Sequence, residues 1–212
     1  MQCPLCGKRK ARRSCPAKSA QICGVCCATK REIEIDCPLS CSYLREGYQY
    51  AMEKNPLEQR ARSMTIDRTF DRGFLLENER FLMELSKGIR ECYMSAPQLH
   101  DSDIVGAFAA LEKTFRTLDT GLYYDTRPEG GLEQILYLKL KESIDLKIQT
   151  PDIQGRRLKV SAVIDCLVFM QQFVQMKGSG RPLSRGYLTH LEEVFSHAPQ
   201  ESPSEEPRIL LT

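Results

Sequence analysis

Eight of the ten cysteines in this 212-residue chain fall within its first 41 positions, at Cys3, Cys6, Cys15, Cys23, Cys26, Cys27, Cys37 and Cys41. No other feature restricts the fold as tightly. A segment this short, with few large apolar side chains, cannot close itself around a hydrophobic core, so sulfur chemistry has to do it. Disulfides and thiolate-bound metal are the two ways of doing so. The chain has no apolar run of transmembrane length, and Met1-Gln2-Cys3-Pro4 lacks the apolar stretch of a secretory leader. The expected setting is cytoplasmic, with no membrane partner. Thiols stay reduced there, which favours metal over disulfides.

The spacing sharpens that expectation. Cys3-Pro4-Leu5-Cys6-Gly7 and Cys23-Gly24-Val25-Cys26 are two C-x-x-C knuckles, in which a tight turn lets two thiolates grip one ion, and Gly7 and Gly24 suit such turns. Two knuckles complete one tetrahedral site, and Cys15, Cys27, Cys37 and Cys41 remain for a second. The expected cofactor is therefore zinc, as two structural ions. The spacing leaves open how the neighbouring Cys26 and Cys27 divide between the sites. Iron–sulfur clusters are disfavoured because C-x2-C-x8-C does not match the ferredoxin runs, and no strand–helix context of the thioredoxin kind surrounds either pair. Four-thiolate sites are closed to water and substrate, so the metal should hold the fold and not perform chemistry.

The interleaved order of the two ligand sets resembles the cross-brace of B-box and RING zinc modules. It departs from the B-box in having no histidine before His100, in Lys18 standing where a ligand is often found, and in a final C-x3-C pair, so no ubiquitin-ligase role follows. Residues 3–11, 22–32, Asp36-Cys37-Pro38 and Tyr43-Leu44-Arg45, with Gly121-Leu122-Tyr123-Tyr124 and Arg127-Pro128 in the helical part, resemble an uncharacterised bacterial protein family with an N-terminal cysteine-rich segment and a helical C-terminal region. That resemblance implies the domain order and a bacterial cytosolic setting, and no activity.

Beyond position 41 the apolar residues repeat at three and four. Phe70, Phe74, Phe81, Leu85, Ile89 and Cys92 form one run, ended by Pro97. Ile104, Ala107, Phe108, Leu111, Phe115 and Leu118 form the clearest, with Asp101 or Ser102 as N-cap and Gly121 as C-terminal cap. A third begins near Glu129 or Leu132, turns Ile135, Leu136, Leu140 and Ile144 inward and stops before Pro151. A fourth spans about 159–177 through Val160, Val163, Ile164, Leu167, Phe173 and Val174, and Ser184 caps a short last helix with Leu188, Leu191 and Phe195. The predicted fold is mainly α: a small N-terminal double-zinc module (1–41), an all-helical bundle (42–197) and a Pro/Ser/Glu-rich tail (198–212) expected to be disordered. Cys92 and Cys166 lie on apolar helix faces and read as small core residues.

Residues 1–31 carry Lys8, Arg9, Lys10, Arg12, Arg13, Lys18, Lys30 and Arg31 and no acid. Such a run invites a nucleic-acid reading through Lys8, Arg9, Lys10, Arg12 and Arg13, with Tyr43, Tyr48 and Tyr50 as stacking groups. The charge balance moderates it. Over residues 1–41, eight basic residues set against three acids, eight thiolates and two zinc ions leave about +1, and the rest of the chain, with 22 basic and 25 acidic residues, is slightly negative.

Only His100, His190 and His197 are present, and no nucleotide-binding, zinc-protease or serine-hydrolase motif occurs. The loops at 119–131 and 178–185, the latter resembling a small-anion turn around Arg181 and Arg185, read as helix caps and interhelical packing. The expected function is a non-catalytic zinc-binding protein acting as a protein-interaction or scaffolding module, with an unidentified protein partner and no small-molecule substrate. The alternative is a nucleic-acid-binding regulatory protein using the basic segment, and a third is an enzyme without recognisable motif.

Overall fold

Apolar side chains spaced by three and four produce long helices in the computed structural model, which describes residues 1–56, 70–151, 155 and 157–197. The tail read from position 198 lies outside the described residues. In chain order the elements are strand β1 (Arg13–Cys15), a 3-10 turn (Pro16–Lys18), strand β2 (Ala20–Ile22), and helices α1 (Gly24–Lys30), α2 (Ser42–Lys54), α3 (Arg72–Ser95), α4 (Asp101–Asp119), α5 (Gly131–Gln149), α6 (Val160–Lys177) and α7 (Gly186–His197). The protein is mainly α. Strands β1 and β2 pair antiparallel with Ser14 opposite Gln21. This hairpin had no signal in the sequence, because three residues per strand are too few to display a period of two.

Helix α3 starts where the Asp71 carboxylate accepts the Phe74 amide at 2.8 Å and stops ahead of Pro97, whose ring excludes a preceding helical turn. Helix α4 begins one residue earlier than expected, with His100 at the N-cap and the Asp103 carboxylate accepting its amide at 2.8 Å. Its end is a Schellman arrangement: the Leu122 amide reaches the Thr117 carbonyl and the Gly121 amide the Leu118 carbonyl, both at 3.0 Å. Gly121 adopts φ +81° there, which glycine does without strain.

Helices α4 and α6 form the most extensive contact of the body. Ile104, Phe108, Leu111 and Phe115 meet Val163, Leu167, Met170 and Val174, all essentially inaccessible to solvent. Burying each of the larger side chains contributes about 1.5–3 kcal/mol. Helix α5 departs from expectation. Ile135 is 53% exposed, and Tyr137 takes the inward position with Leu136, Leu140 and Ile144. At 100° per residue positions 136, 137, 140 and 144 share a face that 135 does not. The Tyr137 hydroxyl is satisfied by Thr114 and by the Asp125 carboxylate. Cys92 and Cys166 are buried in this core, where burial raises both thiols, Cys166 to about 12. Among the described residues no helix is long and apolar enough to cross a membrane.

A second buried cluster is separate from the first. It contains seven of the eight N-terminal cysteines with Ala11, Ile22, Ile35, Leu44 and Tyr48, and Cys6 packs against it. Helix α2 thus closes the N-terminal cap with Leu44 and Tyr48. Leu39 touches both clusters.

Candidate metal centre

The first knuckle is a tight turn in which the Cys6 and Gly7 amides donate to the Cys3 carbonyl, Gly7 sits at φ +62°, and the Cys3 amide is held by the Arg9 carbonyl at 2.8 Å. The second is built on a helix start. Cys23 is the N-cap of α1, its sulfur accepts the Cys26 amide at 3.4 Å, and Gly24 is the first helical residue rather than a turn residue in the left-handed region. Hairpin and helix bring the two knuckles together. The sulfurs of Cys3, Cys6, Cys23 and Cys26 all lie within 4.8 Å of one another, with Cys6 and Cys23 at 3.9 Å. A tetrahedron with metal–sulfur bonds near 2.3 Å has edges of about 3.8 Å, so this group can hold one metal ion.

The electrostatics agree with the geometry. Amides of Lys8 and Arg9 lower the Cys6 thiol to about 6. Burial, and then the neighbouring sulfurs of Cys23, Cys6 and Cys3, push Cys26 up to about 12. Four crowded sulfurs cannot all ionise unaided, and a divalent cation removes that conflict.

Cys15, Cys27, Cys37 and Cys41 come from four different places: the end of β1, the middle of α1, the loop after it and the N-cap of α2. All four are buried and line one small cavity of about 10 Å³ together with Ile22 and Ile35. Burial raises Cys37 to about 11, with Cys41 and Cys15 adding to the shift. The Arg31 guanidinium lies 3.7 Å from the Cys27 sulfur. Adjacent positions on α1 diverge by 100°, and Cys26 joins the four-sulfur group while Cys27 lines the small cavity.

The basic segment is not uniform. Lys8, Arg9, Lys10 and Arg12 are exposed, whereas Arg13 is half-buried with its guanidinium 4.7 Å from the Tyr43 ring centre and packed beside Gly24. Arg13 is thus spent inside the cap, unlike the other four cations grouped with it in the sequence.

What joins cap to body was invisible in the sequence. Arg185, 2% exposed, reaches from the loop before α7 into the cap. Its guanidinium grips both oxygens of the Asp36 carboxylate and donates to the Cys37 carbonyl at 2.9 Å, the Leu99 carbonyl at 3.1 Å and the Pro97 carbonyl at 3.1 Å. Its backbone amide donates to Glu32 and to the Tyr48 hydroxyl, which itself bonds Glu32. Arg181 adds bonds to the carbonyls of Ala28 and Arg31, and the Leu183 amide reaches the Glu32 carbonyl at 2.9 Å. The loop that resembled a small-anion turn therefore does bind an anion, the cap's own Asp36.

His100 and His190 are committed elsewhere. His100 directs Nε2 to Asp36 at 3.0 Å and Nδ1 to Asp103 at 3.6 Å, which leaves neither nitrogen for a substrate. His190 packs edge-on to Phe173 beside Lys177, and burial holds it near 4. In the 119–131 loop Thr117 and Thr114 bond the backbone of Tyr124 and Thr126, while Tyr123 and Tyr124 themselves are exposed. No family model, curated protein or solved structure matches the chain, and the functional reading rests on the site itself.

Proposed function

We propose that the chain is a non-catalytic zinc-binding protein of the cytoplasm, acting as an interaction or scaffolding module whose cap is held by two structural zinc ions. One is bound by Cys3, Cys6, Cys23 and Cys26, and the other by Cys15, Cys27, Cys37 and Cys41. The carrying observation is the convergence of four sulfurs within 4.8 Å, with amides aimed at them. An all-thiolate, four-ligand set favours zinc and leaves no open position for substrate. Bound zinc would supply folding free energy of about 10–16 kcal/mol per site, which a cluster with only Ile22, Ile35, Leu44 and Tyr48 as large apolar members needs.

The protein residues then divide the work. Amides of the first knuckle stabilise thiolate, Ile22 and Ile35 exclude water from the second cavity, and Arg185 with Arg181 fastens the cap to the helices. Of the α2 tyrosines, Tyr43 lies under Arg13 and Tyr48 is buried on Glu32, leaving Tyr50 exposed for a partner. Affinity capture from a cell extract on immobilised full chain tests the scaffold reading. A protein retained by the metal-loaded chain and lost with Cys23→Ser/Cys26→Ser is expected, and equal capture by both would contradict it.

A further inference from the structure

Resting on that reading of a metal-held cap, we propose that the outer face of its hairpin binds the phosphate backbone of nucleic acid through Lys8, Lys10, Arg12 and Lys18, with Ser14 and Gln21 between them. From Lys10 to Cys15 exposure alternates residue by residue into β1. Ala11 and Cys15 are buried and Arg13 is half-buried over Tyr43, while Lys10, Arg12 and Ser14 are exposed. Across the ladder the exposed Gln21 stands opposite Ser14. Lys18, exposed, marks the hairpin tip, and Lys8 the knuckle end. Alternate residues of an extended chain are about 6.7 Å apart, so Lys10 and Arg12 are neighbouring outward cations, with the neutral hydrogen-bonding pair Ser14 and Gln21 next along the ribbon.

Several cations of the body are paired with carboxylates. On the helices Lys139 pairs with Glu91 at 2.7 Å, Lys147 with Glu84 at 2.7 Å, Arg90 with Glu192 at 3.1 Å and Arg116 with Glu112 at 2.7 Å. Among the described residues no carboxylate pairs with Lys8, Lys10, Arg12 or Lys18. The three acids of the cap are engaged elsewhere: Glu32 by Tyr48 and Arg185, Glu34 by Lys30, and Asp36 by Arg185 and His100. Seven of the eight cysteines that balance the charge of residues 1–41 are buried beneath, so attraction acts at contact and not at long range. The outward positions Lys10, Arg12, Ser14 and Gln21 carry no apolar side chain, which suits a phosphate backbone and not insertion into a lipid surface.

The test uses the full metal-loaded chain and fluorescein-labelled 20-nucleotide DNA, single- and double-stranded, read by anisotropy from 50 to 300 mM salt, with zinc content measured on the same samples. Expected is micromolar binding at the lowest salt, weakening linearly in log–log form with a slope of about −3 to −4, as four phosphate contacts dictate. Lys10→Glu/Arg12→Glu should lower affinity at least roughly tenfold at unchanged melting temperature and zinc content, while Lys87→Glu/Lys113→Glu on the body, matched in charge, should not. No binding by zinc-loaded chain, equal loss in both double variants, or equal competition by polyglutamate would overturn the proposal, the last assigning the face to an acidic polypeptide. Binding by a chain that carries no zinc would sink the metal reading and leave this surface standing.

Discussion

The cap and the helical body bury side chains to the same degree with opposite materials. In the body, Ile104, Phe108, Leu111, Leu167 and Val174 fill the interior and several surface cations, Lys139 and Lys147 among them, are paired with acids. In the cap most buried residues are cysteines, and among the described residues no carboxylate pairs with Lys8, Lys10, Arg12 or Lys18. A hydrophobic core loses stability in increments as atoms are removed, whereas a ligand sphere fails as a unit. The two halves should therefore respond to perturbation by different rules.

The largest difference comes from metal removal. Chelation of the full chain should abolish amide-exchange protection over residues 1–41 while α4 and α6 keep theirs, since the proposed zinc contribution of roughly 10 kcal/mol or more is confined to the cap. Equal loss in both halves would break the comparison. Phe108→Ala is the converse probe, expected to cost the body about 3–5 kcal/mol in urea unfolding with zinc content unchanged. Arg185→Ala attacks the join. It leaves Asp36 only its His100 bond and strands three carbonyls, and a cost of about 1–3 kcal/mol should appear as two unfolding transitions where the native chain shows one. Arg185→Lys should recover only part, lacking the fork that spans Asp36.

The smallest effect is in pH dependence, read by NMR titration of the imidazoles. Hydrogen bonds to Asp103 and Asp36 raise His100 above its ordinary value, so its contribution is present at low pH and lost as pH rises through that raised value. Burial, with the Lys177 charge, lowers His190 to about 4. Its contribution is full above the ordinary 6.5 and is lost as pH falls toward 4. Coincident titrations would contradict both environments.

What the sequence disclosed followed the range of the interaction. Helices α3 to α7 were legible because an apolar stripe is a local pattern, and the first metal group because C-x-x-C spacing is local too. Ile135 was misplaced because α5 carries apolar residues on more than one side, so its inward face has a weak signature and only packing against α3 and α4 selects Tyr137. The hairpin was missed for its shortness. The Arg185 junction escaped because its two partners are 149 positions apart and each alone is an ordinary charged residue. The grouping of Cys26 with one set and Cys27 with the other needed the pitch of α1, which exists only once the segment has folded.

Native mass spectrometry of the full chain, purified without chelator, tests the central claim most directly. The predicted result is a mass increment of two zinc ions, falling to one in Cys15→Ser/Cys37→Ser and to one in Cys3→Ser/Cys23→Ser. A folded cap with one ion or none, or both ions lost together from either variant, would contradict two separate sites built from these eight cysteines.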